Sequence, residues 1–133
     1  GLPIGATMFG EKTENVYTPG LHGSTFGGNP VCAAGALNIL SRIDDKLMAE
    51  VNEKSEYIKK ALEGASGIKS VTGLGLMLGL ETEKKASDIV KAAIERGVLL
   101  LTAKTKVRLL PPLNIGCEEL EKAIKVIKEV CAI

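Results

Sequence analysis

The sequence predicts an α+β fold, in which a mostly antiparallel sheet of three or four strands is covered by two or three helices. Two patterns indicate this fold. Segments with a helical apolar period alternate with short β-rich apolar runs from residue 30 onward, and glycine, proline or polar residues separate them. The composition agrees, because the 133 residues are 45% hydrophobic and 25% charged, which is typical of a folded domain.

Residues 1–29 differ from the rest of the chain. They hold seven of the fifteen glycines and three of the four aromatic residues, but only three of the thirty-three charged residues. They show neither a helical nor a strand period. Such a segment is typical of backbone that runs close to another chain, a ligand or a neighbouring layer. We therefore treat 1–29 and 30–133 as separate parts of the chain.

Two helices are predicted after this segment. Asn29 is suited to the N-cap of the first helix, and Pro30 is suited to its first position. Asp44 and Asp45 place negative charge at the start of the second helix, where it favours the N-terminus. A glycine at 64 or 67 ends this helix. Its apolar face consists of Leu47, Val51, Ile58 and Leu62.

Four strands are predicted in two pairs, over 68–71, 74–80, 98–101 and 106–110. Gly73 and Gly75 interrupt the first pair. The polar residues 102–105 separate the second pair, which is expected to be antiparallel. Pro111 and Pro112 end the last strand, because neither residue can donate a hydrogen bond to a neighbouring strand.

A short helix is predicted between the two pairs of strands, over 86–96, with Gly97 just beyond its end. A last helix is predicted over about 117–130, with Glu118 and Glu119 in its first turn. Both segments repeat apolar residues at helical spacing, so each helix is expected to bury one face.

Charge and composition disfavour several classes of function. The 17 Lys and Arg residues nearly balance the 16 Asp and Glu residues, which disfavours binding to nucleic acid or to an anionic membrane. The sequence contains no signal-peptide pattern and no membrane-length apolar run, so a cytoplasmic location is expected. Cys32, Cys117 and Cys131 lie far apart, and His22 is the only histidine. A disulfide framework, a metal site and a catalytic triad are therefore not expected.

The segment 22–30 is the first candidate site. It places the hydroxyls of Ser24 and Thr25 among glycines directly before a predicted helix. Hydroxyls and exposed backbone N–H groups are suited to binding a phosphate. The segment has neither the lysine nor the spacing of a Walker loop. A tight turn whose hydroxyls bond to their own backbone explains the same residues equally well.

Arg108 is the second candidate. It lies in an apolar strand and faces away from its two neighbours, because side chains alternate along a strand. In a cleft, its planar guanidinium is suited to bidentate binding of a carboxylate. On a solvated sheet edge it is an ordinary surface charge, and the strand period does not decide between the two. Lys12, Lys104 and Lys106 are most simply explained as solvated charges.

Four strings of the sequence, taken together and in this order, resemble the class III pyridoxal-phosphate-dependent aminotransferases. They are GLPIGA at 1–6, HGSTFGGNP at 22–30, GLGLMLG at 73–79 and RLLPPL at 108–113. Within this family the sequence is most similar to the acetylornithine aminotransferases. The resemblance covers essentially the whole chain. It implies the C-terminal third of a fold-type I enzyme. Residues 1–29 would belong to the large-domain and dimer-interface region, and residues 30–133 to the C-terminal small domain with its linking helix.

The resemblance also implies roles for single residues. Thr25 falls on the threonine that contacts the cofactor phosphate across the dimer interface, and Ser24 lies beside it, near phosphate and substrate. Arg108 falls on the arginine that holds the substrate α-carboxylate. In the family, the lysine that forms the Schiff base with the cofactor lies a few residues upstream of the GLPIGA string. This chain is therefore expected to be a fragment without a catalytic residue, inactive alone and without bound pyridoxal phosphate.

The implied reaction is the transfer of an amino group between N-acetylornithine and 2-oxoglutarate in arginine biosynthesis. The implied enzyme is a cytoplasmic homodimer that contains pyridoxal phosphate. Ornithine, succinylornithine and 4-aminobutyrate aminotransferases share these strings and remain alternatives. A hypothesis from a different class is that the isolated chain is a noncatalytic domain that self-associates through residues 1–29.

Overall fold

The structure is a computed structural model that describes residues 2–132. The chain divides into two compact units, with the division between residues 44 and 45. The first unit contains α1 (Pro30–Leu40). The second contains, in chain order, α2 (Asp45–Leu62), β1 (Ile68–Leu74), β2 (Met77–Thr82), α3 (Ala86–Glu95), β3 (Leu101–Ala103), β4 (Lys106–Leu109) and α4 (Cys117–Cys131).

In the first unit, α1 begins where the sequence predicts. The side-chain oxygen of Asn29 accepts hydrogen bonds from the backbone N of Val31 (3.0 Å) and of Cys32 (3.2 Å), and Pro30 occupies the first helical position. Between residues 2 and 29 the backbone forms turns and bends, with no helix or strand. No residue from 2 to 44 is buried, so this unit has no hydrophobic core of its own.

In the second unit, the four strands form one antiparallel sheet in the order β1-β2-β4-β3. Apolar side chains project from one face of this sheet and pack with the apolar faces of α2, α3 and α4. The predicted α+β fold is therefore confirmed. The core residues contributed by the two central strands are Leu78, Leu80, Val107 and Leu109.

The strand boundaries differ from the prediction at two places. β3 comprises Leu101–Ala103, so it includes two residues that the sequence places in the polar connection. The reason is the two-residue turn that follows: Lys104, with a φ of 55°, and Thr105 bring Ala103 opposite Lys106, and the length of the turn sets the register. The strand predicted over 98–101 is therefore wrong except at its last residue.

The first hairpin also differs from the prediction. β1 continues through Gly73 to Leu74, and the turn to β2 lies at Gly75 and Leu76. Gly73 has a φ of 137°, and a Cβ atom at this position would overlap the backbone oxygen of Met77. The residue is therefore a site of close backbone approach within the strand and does not end it.

Among residues 2–132, no helix is both long enough and apolar enough to cross a membrane.

Candidate anion-binding sites

Ser24 and Thr25 lie in the turn that precedes α1. The backbone closes this turn: Gly27 N donates to Ser24 O (3.0 Å), and Asn29 N donates to Phe26 O (3.2 Å). Both hydroxyl-bearing side chains are exposed, and within the described part of the chain neither hydroxyl has a hydrogen-bond partner. The hydroxyls therefore do not close the turn, and they remain available to an anion.

The first turn of α1 is less available to an anion than the hydroxyls of Ser24 and Thr25 are. Its amide groups at Val31 and Cys32 already donate to the Asn29 side chain. An anion at this turn would therefore bind through the hydroxyls of Ser24 and Thr25 rather than through the helix N-terminus. Two exposed hydroxyls fit a phosphate, which accepts hydrogen bonds through several oxygens.

Three aromatic rings pack in the segment before this turn. The ring centroids of Phe9 and Tyr17 are 5.3 Å apart, and those of Tyr17 and His22 are 4.9 Å apart in an edge-to-face arrangement. Such pairs are favourable contacts. They join parts of the chain in which the sequence shows neither a helical nor a strand period. The contacts were not predicted, and the only signal for them is the concentration of aromatic residues in 1–29.

Arg108 lies in the interior of the sheet of the second unit. β4 pairs with β2 on one side and with β3 on the other, so Arg108 has Gly79 and Leu101 as its cross-strand neighbours. Val107 and Leu109 are buried in the core, and the half-buried Arg108 faces the opposite side of the sheet. The interpretation of Arg108 as an edge residue is therefore wrong.

The Nε atom of Arg108 is buried and has no hydrogen-bond partner within residues 2–132. An unsatisfied buried donor costs about 1–3 kcal/mol. A carboxylate is suited to this position, because it can accept two parallel N–H donors from a guanidinium. Arg108 is therefore the residue of the second unit best suited to bind an anionic ligand.

A second cation lies near Arg108 on the same face of the sheet. Lys106 Nζ donates to Thr72 Oγ1 at 3.0 Å, and the Thr72 hydroxyl donates to Gly79 O at 3.4 Å. The sequence around Lys106 predicts a solvated charge and gives no indication of its contact with Thr72. The contact spans two strand boundaries, from β4 across β2 to β1, so it depends on the strand order.

The predicted site residues fall in different units. Ser24 and Thr25 belong to the first unit, and Arg108 belongs to the second.

A cavity of about 590 Å³ in the second unit lies between α2 and the start of α4. Its lining includes three glutamates, which disfavour an anion there. No cluster that could hold a metal ion occurs between residues 2 and 132.

Comparison with known proteins identifies the family to which this chain is similar. The family model described as aminotransferase class-III matches residues 1–131. The acetylornithine aminotransferase of Haemophilus ducreyi is 43% identical to this chain over 132 residues, which is 98% of this chain and 34% of that protein. The chain therefore spans about a third of the length of this curated relative.

Two solved structures resemble the chain in fold. The acetylornithine aminotransferase of Elizabethkingia anophelis is 32% identical, with a TM-score of 0.73 over 86% of this chain and 33% of that one. The ornithine aminotransferase of Toxoplasma gondii, crystallised with oxidised glutathione and described as having partial occupancy of PLP at its active site, is also 32% identical. Its TM-score is 0.73 over 86% of this chain and 29% of that one.

Proposed function

This chain belongs to the class III aminotransferase family, and we propose that it is the C-terminal portion of an acetylornithine aminotransferase. The proposed enzyme transfers an amino group between N-acetylornithine and 2-oxoglutarate in arginine biosynthesis. The buried, unpartnered Nε of Arg108 is the observation that carries this proposal, because it is a donor that a substrate carboxylate would satisfy.

In the proposed enzyme Arg108 binds the substrate α-carboxylate. Its cross-strand neighbours hold the backbone of β4 from both sides, so the guanidinium projects from a rigid element. With glutamate, the amino acid formed from 2-oxoglutarate, a fixed α-carboxylate orients the Cα–H bond for proton removal, and Arg108 takes no part in the proton transfer. N-acetylornithine reacts at the carbon of its terminal amine, because its α-nitrogen is acylated. Arg108 is therefore a substrate-binding residue.

Ser24 and Thr25 would hold the phosphate of pyridoxal phosphate through their exposed hydroxyls, and Ser24 would also lie near the substrate. The cofactor, when bound, supplies the electron sink for chemistry at the carbon that carries the transferred amino group. No residue of this chain is proposed to bond covalently to the cofactor, so the 133 residues by themselves are proposed to be inactive and not to retain it.

The proposed placement of residues 1–29 is the large-domain and dimer-interface region of a cytoplasmic homodimer, and that of 30–133 is the C-terminal small domain with its linking helix. The exposed apolar side chains between residues 2 and 29 support the placement of 1–29, because such side chains are normally covered. Those most exposed are Met8, Val16, Leu21 and Phe26.

The exchange of Arg108 for alanine in the intact enzyme tests the proposed role. The variant loses a charge-assisted pair of hydrogen bonds to the α-carboxylate, so kcat/KM for 2-oxoglutarate should fall about 100-fold, or ~2.7 kcal/mol. Arg108→Lys should recover only part of this loss, because an ammonium lacks the planar pair of donors.

Arg96→Ala is the matched control. Arg96 is an exposed arginine whose Nη1 lies 2.8 Å from Glu129 Oε2, and such surface ion pairs contribute little to stability. Its kcat/KM should remain within about twofold of the parent enzyme. An unchanged kcat/KM in Arg108→Ala would remove Arg108 from the site. Kinetics with ornithine, succinylornithine and 4-aminobutyrate as amino donors distinguish the alternative class III activities.

A second candidate function applies to the 133-residue chain by itself. Residues 2–44 contain no buried residue and many exposed apolar side chains. This observation favours a noncatalytic chain that self-associates through its glycine-rich segment.

A further inference from the structure

The aliphatic stem of Lys106 lies where a side chain at residue 79 would lie. An added Cβ atom at Gly79 would be 3.3 Å from Lys106 Cδ and 3.8 Å from Lys106 Cβ. Gly79 is the cross-strand neighbour of Arg108, and the side chains of such a pair are adjacent on one face of the sheet. The stem of Lys106 therefore replaces the missing side-chain neighbour of Arg108 on the β2 side.

The stem is held over β2 by its tip. Lys106 Nζ donates to Thr72 Oγ1 at 3.0 Å, and the Thr72 hydroxyl donates to Gly79 O at 3.4 Å. Thr72 lies on β1 and Lys106 on β4, with β2 between these strands. The Lys106 side chain is thus fixed at both ends, by its own backbone and by Thr72, and it covers β2 at Gly79.

On the β3 side, the neighbour of Arg108 is Leu101. The two residues are paired in the register of β3 and β4, so their side chains share the face of the sheet opposite the core. The side chain of Leu101 has no hydrogen-bond acceptor, and Gly79 has no side chain. These neighbours agree with an Arg108 Nε atom that is buried and unpartnered within residues 2–132.

The surface that Lys106 covers would otherwise be open to Arg108. Thr72, Gly79 and Arg108 are cross-strand neighbours in one row across three strands. Without Lys106, Thr72 Oγ1 would lose its donor, and no side chain would stand between Arg108 and Thr72 in this row. The guanidinium could then lie flat across Gly79, where a hydroxyl would accept a hydrogen bond from it.

We propose that Lys106 is a positioning residue for Arg108. Its stem, held by Thr72, occupies the surface of β2, so the guanidinium of Arg108 does not lie across Gly79 and instead projects from the sheet. This inference rests on the proposed function, in which Arg108 holds the α-carboxylate of 2-oxoglutarate. Lys106 acts through Arg108 and does not itself contact the substrate.

Lys106→Ala in the intact holoenzyme tests the inference, because alanine removes the stem. The guanidinium of Arg108 is then free to leave its position, so KM for 2-oxoglutarate should rise about tenfold. Since the carboxylate is bound in the ground state and in the transition state alike, kcat should stay within about twofold. Steady-state kinetics with 2-oxoglutarate as the varied substrate measure both constants.

Lys106→Met distinguishes the stem from the charge. Methionine keeps an unbranched stem without the ammonium, so it should restore most of the affinity that Lys106→Ala loses. If both variants raise KM equally, the charge of Lys106 is responsible, and the positioning role is overturned. Lys104→Ala is the matched control, because it removes an exposed lysine of the adjoining turn. An equal rise of KM in this control would also contradict the inference.

A second measurement is independent of activity. In the 133-residue chain, the buried Nε proton of Arg108 should exchange with solvent more slowly than that of the exposed Arg96, as followed by nuclear magnetic resonance. Lys106→Ala should accelerate the exchange at Arg108, and Lys106→Met should largely preserve the slow rate. An unchanged rate in Lys106→Ala overturns the inference. Faster exchange with an unchanged KM does so too, because the packing would then have no effect on substrate binding.

Arg108→Ala separates this inference from the proposed function. If Arg108→Ala lowers kcat/KM for 2-oxoglutarate while Lys106→Ala changes neither KM nor the exchange of the Nε proton, only the inference about Lys106 fails. If Arg108→Ala leaves kcat/KM unchanged, the proposed role of Arg108 fails, and the role of Lys106 in substrate binding fails with it.

Discussion

At the scale of single residues, burial determines which groups are reactive and which are inert. Arg108 is half-buried, yet its Nε atom has no partner, so it is suited to bind a ligand. Cys131 is fully buried near the end of α4, and burial raises the pKa of its thiol, an effect that the nearby Lys84 ammonium partly opposes. Cys131 is therefore suited to a packing role rather than to thiolate chemistry.

The raised pKa of Cys131 predicts a dependence of stability on pH. The folded chain holds the thiol proton more tightly than the unfolded chain, whose cysteine pKa is about 8.5. This contribution to stability is complete below about pH 8.5 and is lost as the pH rises through the folded pKa. Urea unfolding of the 133-residue chain should show a free energy that falls above pH 8.5.

The same measurements of urea unfolding against pH, made on Cys131→Ala, distinguish the effect of this thiol from that of other titrating groups. The variant is expected to be less stable at every pH because it leaves a small cavity, but its free energy of unfolding should fall less steeply above pH 8.5. Equal slopes in the two proteins would contradict the assignment to Cys131.

At the scale of elements, glycines permit close approach where helices and strands end. Gly67 lies between α2 and β1, with a φ of 77°, and a Cβ atom there would overlap the backbone oxygen of Cys131 at the end of α4. Lys84 binds the same helix end, because its ammonium donates to the backbone oxygens of Val130 and Ala132. The C-terminus of α4 is therefore satisfied by residues that are distant in the sequence.

Gly67→Ala tests this contact, and Gly64→Ala is its matched control. Gly64 has a nearly identical φ of 74°, but an added Cβ atom there meets nothing within 4 Å. Gly64→Ala should lower the free energy of unfolding by about 1–2 kcal/mol, because of the left-handed backbone conformation alone. Gly67→Ala should cost about 1–3 kcal/mol more, because α4 must move. Free energies of unfolding from urea titrations measure the cost of each substitution. Equal costs would show that an added Cβ atom at residue 67 does not clash with the end of α4.

At the scale of the whole chain, the hydrophobic core lies in one unit. All the buried apolar residues belong to the second unit, from Val51 to Cys131, and none lies between residues 2 and 44. Burial of apolar surface is the main favourable contribution to folding. The second unit therefore carries the folding stability of the chain, and the exposed apolar surface of the first unit is suited to intermolecular contact.

Removal of residues 1–44 tests this division. Residues 45–133 alone should unfold cooperatively, with a thermal midpoint within a few degrees of that of the 133-residue chain, because the core is retained. Sedimentation should show self-association of the 133-residue chain and a monomer for 45–133. A large loss of thermal stability would contradict the division of the core. A compact monomer of the 133-residue chain at high concentration would contradict self-association.

The sequence alone determined the features that depend on neighbouring residues. The start of α1 was predicted correctly because Asn29 caps amide groups two and three positions away. The helix boundaries agree to within a few residues, because capping residues and apolar periodicity are local signals. The direction in which Arg108 points followed from the alternation of a strand, and the family followed from four short strings.

The tertiary structure decided the features that depend on strand order and register. The extent of β3 follows from its pairing with β4, and the interior position of Arg108 follows from the order β1-β2-β4-β3. The Lys106–Thr72 hydrogen bond joins residues 34 positions apart across an intervening strand. Local propensity carries no information about such contacts, because strand pairing brings together segments that are far apart in the chain.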